Sequence, residues 1–255
     1  KRILVCEDSM EGIFSAVYDG WKECAGGCKV SIQTSFPVSM ELFTSYREIA
    51  TDQSKAGKVM RTILMRLGSE VYEQICLAAA SADEDRGTAI YYVLHRAFGG
   101  GRCEKRVMEA LADPYVSRVA KLALCVKREY HHYFGFVRFR EIGGRFLLAK
   151  IQPGNDILSL MALHFSNRFP NENWVIYDEK RQKALCHEKG KECVMRKGVR
   201  IQVPGSAVGD MGEYEELWQT FCDSISIEAR RNEKLQKQML ALHFRSNMPE
   251  FSVKE

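Results

Sequence analysis

The sequence predicts an α+β fold: a helix-rich N-terminal part, a central helix plus two β-hairpins flanking a helix, and a helical C-terminal tail. Three observations predict it. Apolar residues recur at helical spacing through much of the first 112 residues and again from Glu213 onward. Strand-like runs in the middle are separated by tight-turn residues, and Asp113-Pro114 opens a long helical pattern ahead of them. With 45% hydrophobic and 27% charged residues over 255 positions, the composition excludes disorder as the main state.

Ile3 to Val5 reads as a strand, followed by Ser9 as a helix N-cap and by Ile13, Phe14, Val17, Tyr18 and Trp21 at helical spacing. Cys24-Ala-Gly-Gly-Cys28 has glycines suited to a helix C-cap, and Val30-Ser-Ile32 returns as a strand, giving a β-α-β start. Helices succeed one another from Ser54 to Ala112, with apolar stripes Val59, Ile63, Leu64, Leu67 and Ile90, Val93, Leu94, Ala97. Gly99-Gly-Gly101 separates the second stripe from a short helix over Lys105 to Leu111. The helix that starts at Asp113-Pro114 carries Tyr115, Val119, Leu122, Val126 and Tyr133 on its core face and ends at Gly135. Phe136 to Glu141 and Phe146 to Ile151 are two strands joined at Gly143-Gly144. Pro153-Gly-Asn-Asp156 caps the next helix, with Ile157, Leu160, Met161 and His164 on one face. Trp174 to Tyr177 and Lys183 to Cys186 form the second hairpin, and a polar stretch from Pro204 to Gly212 leads into the tail. The expected division is 1–112, 113–203 and 204–255, with all three able to belong to one domain.

No apolar run approaches the ~20 residues that a bilayer crossing needs. The start reaches Glu7-Asp8 too soon for a signal peptide, so a cytoplasmic protein without membrane association is expected. Nine scattered cysteines show no disulfide rhythm and read as reduced structural residues; Cys24, Cys28, Cys186, His187 and Cys193 complete no clean zinc site. Walker, GxSxG, dinucleotide-glycine and cluster-cradle motifs are all absent, so no cofactor is expected.

The charge is unevenly spread. Between Arg118 and Lys150 lie eight cations (Arg118, Lys121, Lys127, Arg128, Arg138, Arg140, Arg145 and Lys150) against Glu129 and Glu141, a local +6 where the whole chain carries +4. Arg118, Lys121 and Arg128 fall near one helix face, and Phe136, Arg138 and Arg140 alternate onto one strand face. Guanidinium groups beside an aromatic ring can grip phosphates and stack a base, so Arg118, Lys121, Arg128, Phe136, Arg138, Arg140 and Arg145 are the candidate nucleic-acid contacts. Phe134 to Phe139 matches part of an RNA-recognition strand motif but lacks its basic-Gly start, and is read as coincidence. Glu129, His131 and His164 are the candidates for acid–base or metal chemistry. Glu129 and His131 diverge by about 200° on a helix, so they share a site only if the helix has ended before them.

Glu129-x-His131, Gly135-Phe136-x-Arg138-Phe139-Arg140-Glu141, Asp156-Ile-Leu158 and His164-Phe165-x-x-Arg168-Phe169-Pro170 resemble a bacterial family usually described as probable DNA metabolism or putative DNA repair proteins. Trp174-x-Ile176-x-Asp178-x-x-Arg181, Ala184, Trp218, Ile227-x-x-Arg230-x-Asn232, Leu235-Gln236 and the Asp8 to Trp21 segment continue the likeness. The resemblance implies an accessory DNA repair protein working with a radical S-adenosylmethionine (radical SAM) protein, and a link to uracil-DNA glycosylase domains. It implies no catalytic residue. Alternatives are a metal-dependent nuclease or base-processing hydrolase, and a protein adaptor that does not touch DNA. The family pattern ends with Met-Pro and a basic, aromatic run, whereas Met248-Pro249 here is followed by Glu250-Phe251.

Overall fold

The computed structural model describes residues 1–24, 29–37, 39–99, 105–201, 213–225, 227 and 232–251. The fold is mixed α+β, with a three-stranded and a five-stranded sheet in two compact units. The first unit is Lys1–Arg128 with Gly154–Asp156; the second is Glu129–Pro153 with Ile157–Glu255. Among the described residues no helix is long and apolar enough to cross a membrane.

In the first unit, β1 (Arg2–Cys6) is the central strand, and Ile3 through Cys6 are all buried. A near-continuous apolar run suits a parallel strand covered on both faces. β2 (Val30–Gln33) and β3 (Ser45–Ile49) both pair with it in parallel. The expected β-α-β start is present, with α1 (Met10–Cys24) between β1 and β2 and the Gly12 N–H donating to Ser9 Oγ at 3.0 Å. β3 has no sequence signal, because only Ile49 of its five residues is buried.

Asp52 Oδ1 accepts from the N–H groups of Ser54 and Lys55 and starts α2 (Gln53–Leu67). α3 (Ser69–Ala79) and α4 (Arg86–Gly99) follow. The α4 stripe is buried as expected; on α2 Ile63 and Leu67 are buried, but Leu64 is 42% exposed. The short helix expected over 105–111 is a single 3-10 turn at Val107–Glu109. The Thr88 hydroxyl of α4 accepts from Ile32 N–H (2.9 Å) and donates to Ile32 O (3.0 Å), so α4 closes the open edge of β2. Gly87 permits that approach: a Cβ there would lie 2.8 Å from Ile32 Cγ2.

In the second unit five strands form one sheet whose order follows the chain. β4 (Arg140–Ile142) and β5 (Phe146–Ile151) form the first hairpin, whose turn is closed by Arg145 N–H on Ile142 O at 3.2 Å, with Gly143 and Gly144 at φ +59° and +63°, the left-handed region that favours glycine. β6 (Trp174–Asp178) runs parallel to β5 after α6 (Leu158–Arg168), and β7 (Lys183–His187) completes the second hairpin. An additional strand, β8 (Val194–Lys197), pairs antiparallel with β7. The tail is helical, with α7 (Glu213–Ile225) and α8 (Glu233–Met239).

Two sequence expectations are corrected. α5 (Pro114–Phe136) does not stop at Gly135: it includes Phe136, and the Val137 N–H still bonds Tyr133 O at 3.0 Å. Phe136 is held there by rings, packing against His132 one turn back and against Phe244. The N-cap position of α6 is Ile157, one residue beyond the expected Asp156, and the Ile157 side chain makes no capping bond. Asn155 Oδ1 instead accepts from Ala82 N–H, and Asp156 N–H donates to Ala80 O.

Among the described residues Cys6, Cys76, Cys125, Cys186 and Cys193 are free thiols. Burial pushes the Cys6 thiol up to about 12, which fits a structural role. The Cys24 side chain, Cys28, Cys103, Gly26, Gly27, Gly100, Gly101, Arg230 and the Pro204 to Gly212 stretch lie outside the described residues.

Candidate nucleic-acid interface

α5 carries most of the predicted contacts. Asp113 starts it, with Oδ1 accepting from the N–H groups of Tyr115 (2.8 Å) and Val116 (3.2 Å), and Pro114 occupies the first turn. Desolvation opposes ionisation of this carboxyl, but the Val116 and Tyr115 N–H groups and the Arg96 guanidinium outweigh it and hold its pKa below the usual value. Val116, Val119, Leu122 and Val126 are buried, which turns Arg118, Lys121, Cys125 and Arg128 outward on the first unit.

The cations of this segment differ in what they meet. Arg118 is paired with Asp83, and Lys127 lies 4.0 Å from Glu73. In the second unit Arg138 pairs with Glu250 at 2.6 Å, donates to Gly135 O, and lies 5.5 Å over the Trp218 ring. Lys150 lies 3.8 Å from Glu179. Half of the eight cations are thus matched by carboxylates from distant sequence. Arg140, exposed at the start of β4, is also engaged. Lys121, Arg128 and Arg145 are exposed and meet no carboxylate within ion-pair range among the described residues.

The Phe136–Arg138–Arg140 strand face does not exist, because Phe136 is helical, Arg138 lies between elements and only Arg140 is in β4. Phe136 is half-buried against Phe244, and Glu250 and Trp218 occupy Arg138. Sequence reasoning missed these tail contacts. The one signal was the departure at Glu250-Phe251: Glu250 meets Arg138, and the Phe251 ring lies 4.5 Å from the Arg245 guanidinium.

Among the acid–base candidates, Glu129 and His131 both lie inside the continuous helix and so project to different sides. His131 and His164 both meet Phe134. The His164 ring stacks on it at 3.9 Å and 10°, and the His131 ring meets it edge-on at 5.7 Å. The Arg168 guanidinium lies over Phe169. Among the described residues no three His, Cys, Asp or Glu side chains are grouped to hold a metal ion.

Desolvation, then Arg168 and His131, lowers the His164 pKa below 6.5. The folded protein therefore resists a proton that the unfolded chain accepts, and stability falls as pH drops below 6.5. His164→Phe keeps the stack and removes the titration. Its melting temperature is expected to change less than that of the wild type between pH 7.5 and pH 5.5, and equal slopes would mean that His164 does not set the acid limb.

No curated protein matches the chain. Residues 84–250, which run from just before α4 to the Glu250 that pairs with Arg138, match the family described as a domain of unknown function, DUF4130, and the chain belongs to that family.

Proposed function

We propose that this protein is a DNA-binding accessory factor of DNA repair or DNA metabolism, acting beside a radical SAM protein. The observation that carries the reading is the exposed face of α5, where Lys121 and Arg128 stand seven residues apart with no carboxylate to neutralise them among the described residues. Two helical turns separate them by about 10 Å, a spacing that lets both meet phosphates of one strand. Arg145 supplies a further exposed cation on the second unit. The sequence likeness to DNA repair proteins supports the same reading and suggests the radical SAM partner, with a uracil-DNA glycosylase as a second. The free thiols suit a reducing cytoplasm.

The test is fluorescence-anisotropy binding to single- and double-stranded DNA across a salt series. Wild-type affinity is expected to fall linearly in log–log coordinates. The Lys121→Ala/Arg128→Ala double variant is expected to weaken binding to every sequence and to flatten the slope by about 2. Arg138→Ala should leave the slope unchanged, because Glu250 already occupies that guanidinium. Absence of salt-sensitive binding by the isolated chain, together with capture of the radical SAM protein, would replace this reading by that of a protein adaptor.

A further inference from the structure

The first unit contains a groove of about 480 Å³ between α1, α2 and α4, with no α5 residue in its lining. Its floor is apolar, with Ile63 and Leu94. Aromatic rings wall it: Tyr18 and Trp21 from α1, and Phe98 from α4, the last with the Arg66 guanidinium 5.7 Å from its centre. Trp21 and Phe98 meet edge to face at 6.1 Å and do not stack on one another.

The rim is cationic. Lys22 lies 5.0 Å and Lys58 lies 5.7 Å from the centre of the Tyr18 ring. A third ammonium, Lys55, also faces that ring, but Asp19 neutralises it at 2.8 Å. Lys22 and Lys58 meet no carboxylate among the described residues. Two ammonium groups gathered on one ring repel each other, and an anion placed between them would relieve that repulsion.

We propose that this groove binds a nucleoside monophosphate group, its base against the aromatic walls and its phosphate between Lys22 and Lys58. The phosphate monoester carries ≈ −1.5 to −2 charge at neutral pH, which matches two ammonium groups, whereas an internal phosphodiester brings only one charge. Every base offers a π-face to aromatic side chains, so the walls do not demand one particular base. The volume lies within the range of small-ligand sites. The proposal rests on residues of the first unit alone and does not depend on DNA binding through α5.

The experiment is calorimetric titration of the full chain with dAMP, dTMP, deoxyadenosine, inorganic phosphate and octanoate. The nucleotides are expected to bind at least tenfold more tightly than the nucleoside, the free phosphate or the fatty acid anion. Lys22→Gln/Lys58→Gln removes two exposed charges, so it should retain the fold, checked by circular dichroism. It is expected to weaken dAMP at least tenfold and to leave deoxyadenosine unchanged, while Lys121→Ala/Arg128→Ala leaves dAMP binding intact. A 5′-phosphorylated single strand that binds tenfold more tightly than its 5′-hydroxyl counterpart, through the same lysines, would identify a strand end as the source. Binding of the free nucleotides only would identify the soluble compound. The proposal is overturned if dAMP binds no better than deoxyadenosine or octanoate, if phosphate alone matches it, or if the lysine double variant binds dAMP as the wild type does.

Discussion

Trp174→Ala is expected to destabilise the second unit by about 3–5 kcal/mol, the range for deleting a large buried aromatic. Trp174 opens β6 and is 0% exposed. Its ring stacks on His187 of β7 at 5.0 Å and 14°, and meets the rings of Phe165 and Phe139 edge-on at 6.2 and 6.4 Å. A backbone that supports β5 on one side and β7 on the other cannot collapse into the void, so the cavity cost adds to the lost transfer energy. Among the described residues the indole N–H meets no acceptor, so the penalty is chiefly one of packing. Trp174→Phe is therefore expected to recover more than half of it. Because the chain has two units, the measurement is hydrogen exchange at the β6 amides rather than a single global melt. Exchange within tenfold of wild type in Trp174→Ala would mean that the second unit is not organised around this ring.

The sequence made the centre of each unit legible and left the edges unread. Ile90, Val93, Leu94 and Ala97 are all buried, and the Gly143-Gly144 hairpin lies where the glycine pair predicts it. Those elements announce themselves because burial imposes a period. β3 and β8 do not: both lie at sheet edges with mostly exposed residues, so no alternation marks them. The boundary of α5 escapes local pattern for another reason. Gly135 ordinarily signals a stop, yet Phe136 is carried into the helix by Phe244, more than a hundred residues away.

The same distance effect governs the candidate site. The local +6 was visible by counting, but its neutralisation was not, because Asp83, Glu73, Glu250 and Glu179 all come from outside the segment. A cluster of like charges in sequence specifies what a surface needs, and only the fold decides which of those needs an acidic neighbour meets. What survives as a phosphate grip is narrower than counting suggests, with Lys121 and Arg128 on one face and Arg145 on the other unit.

Arg86→Ala is expected to cost the first unit about 2–4 kcal/mol, through the lost hydrogen bonds of a buried guanidinium to main-chain carbonyls and the loss of its packed stem. No sequence pattern marks Arg86, which lies in the first turn of α4 and is 2% exposed. Its Nε donates to Ala79 O at 3.2 Å, one terminal nitrogen donates to Asp83 O at 2.7 Å, and the other pairs with Asp8 just beyond β1. One guanidinium thus ties the end of α3, the loop before α4 and the end of the central strand. Its removal strands the Ala79 carbonyl, worth roughly 1–3 kcal/mol when left unpaired, leaves Asp83 O with the Arg86 main-chain N–H at 3.4 Å alone, and deletes a packed stem. The Asp8 side chain is 73% exposed, so Asp8→Asn leaves the carbonyl bonds in place and should cost under about 1 kcal/mol. Arg86→Lys keeps the charge but cannot span three acceptors in one plane, and is expected to fall between the two. Denaturant unfolding followed by hydrogen exchange at β1 separates these variants. If Asp8→Asn proved as damaging as Arg86→Ala, the ion pair rather than the carbonyl bonds would hold this junction, and Arg86 would be a charge partner instead of a backbone clamp.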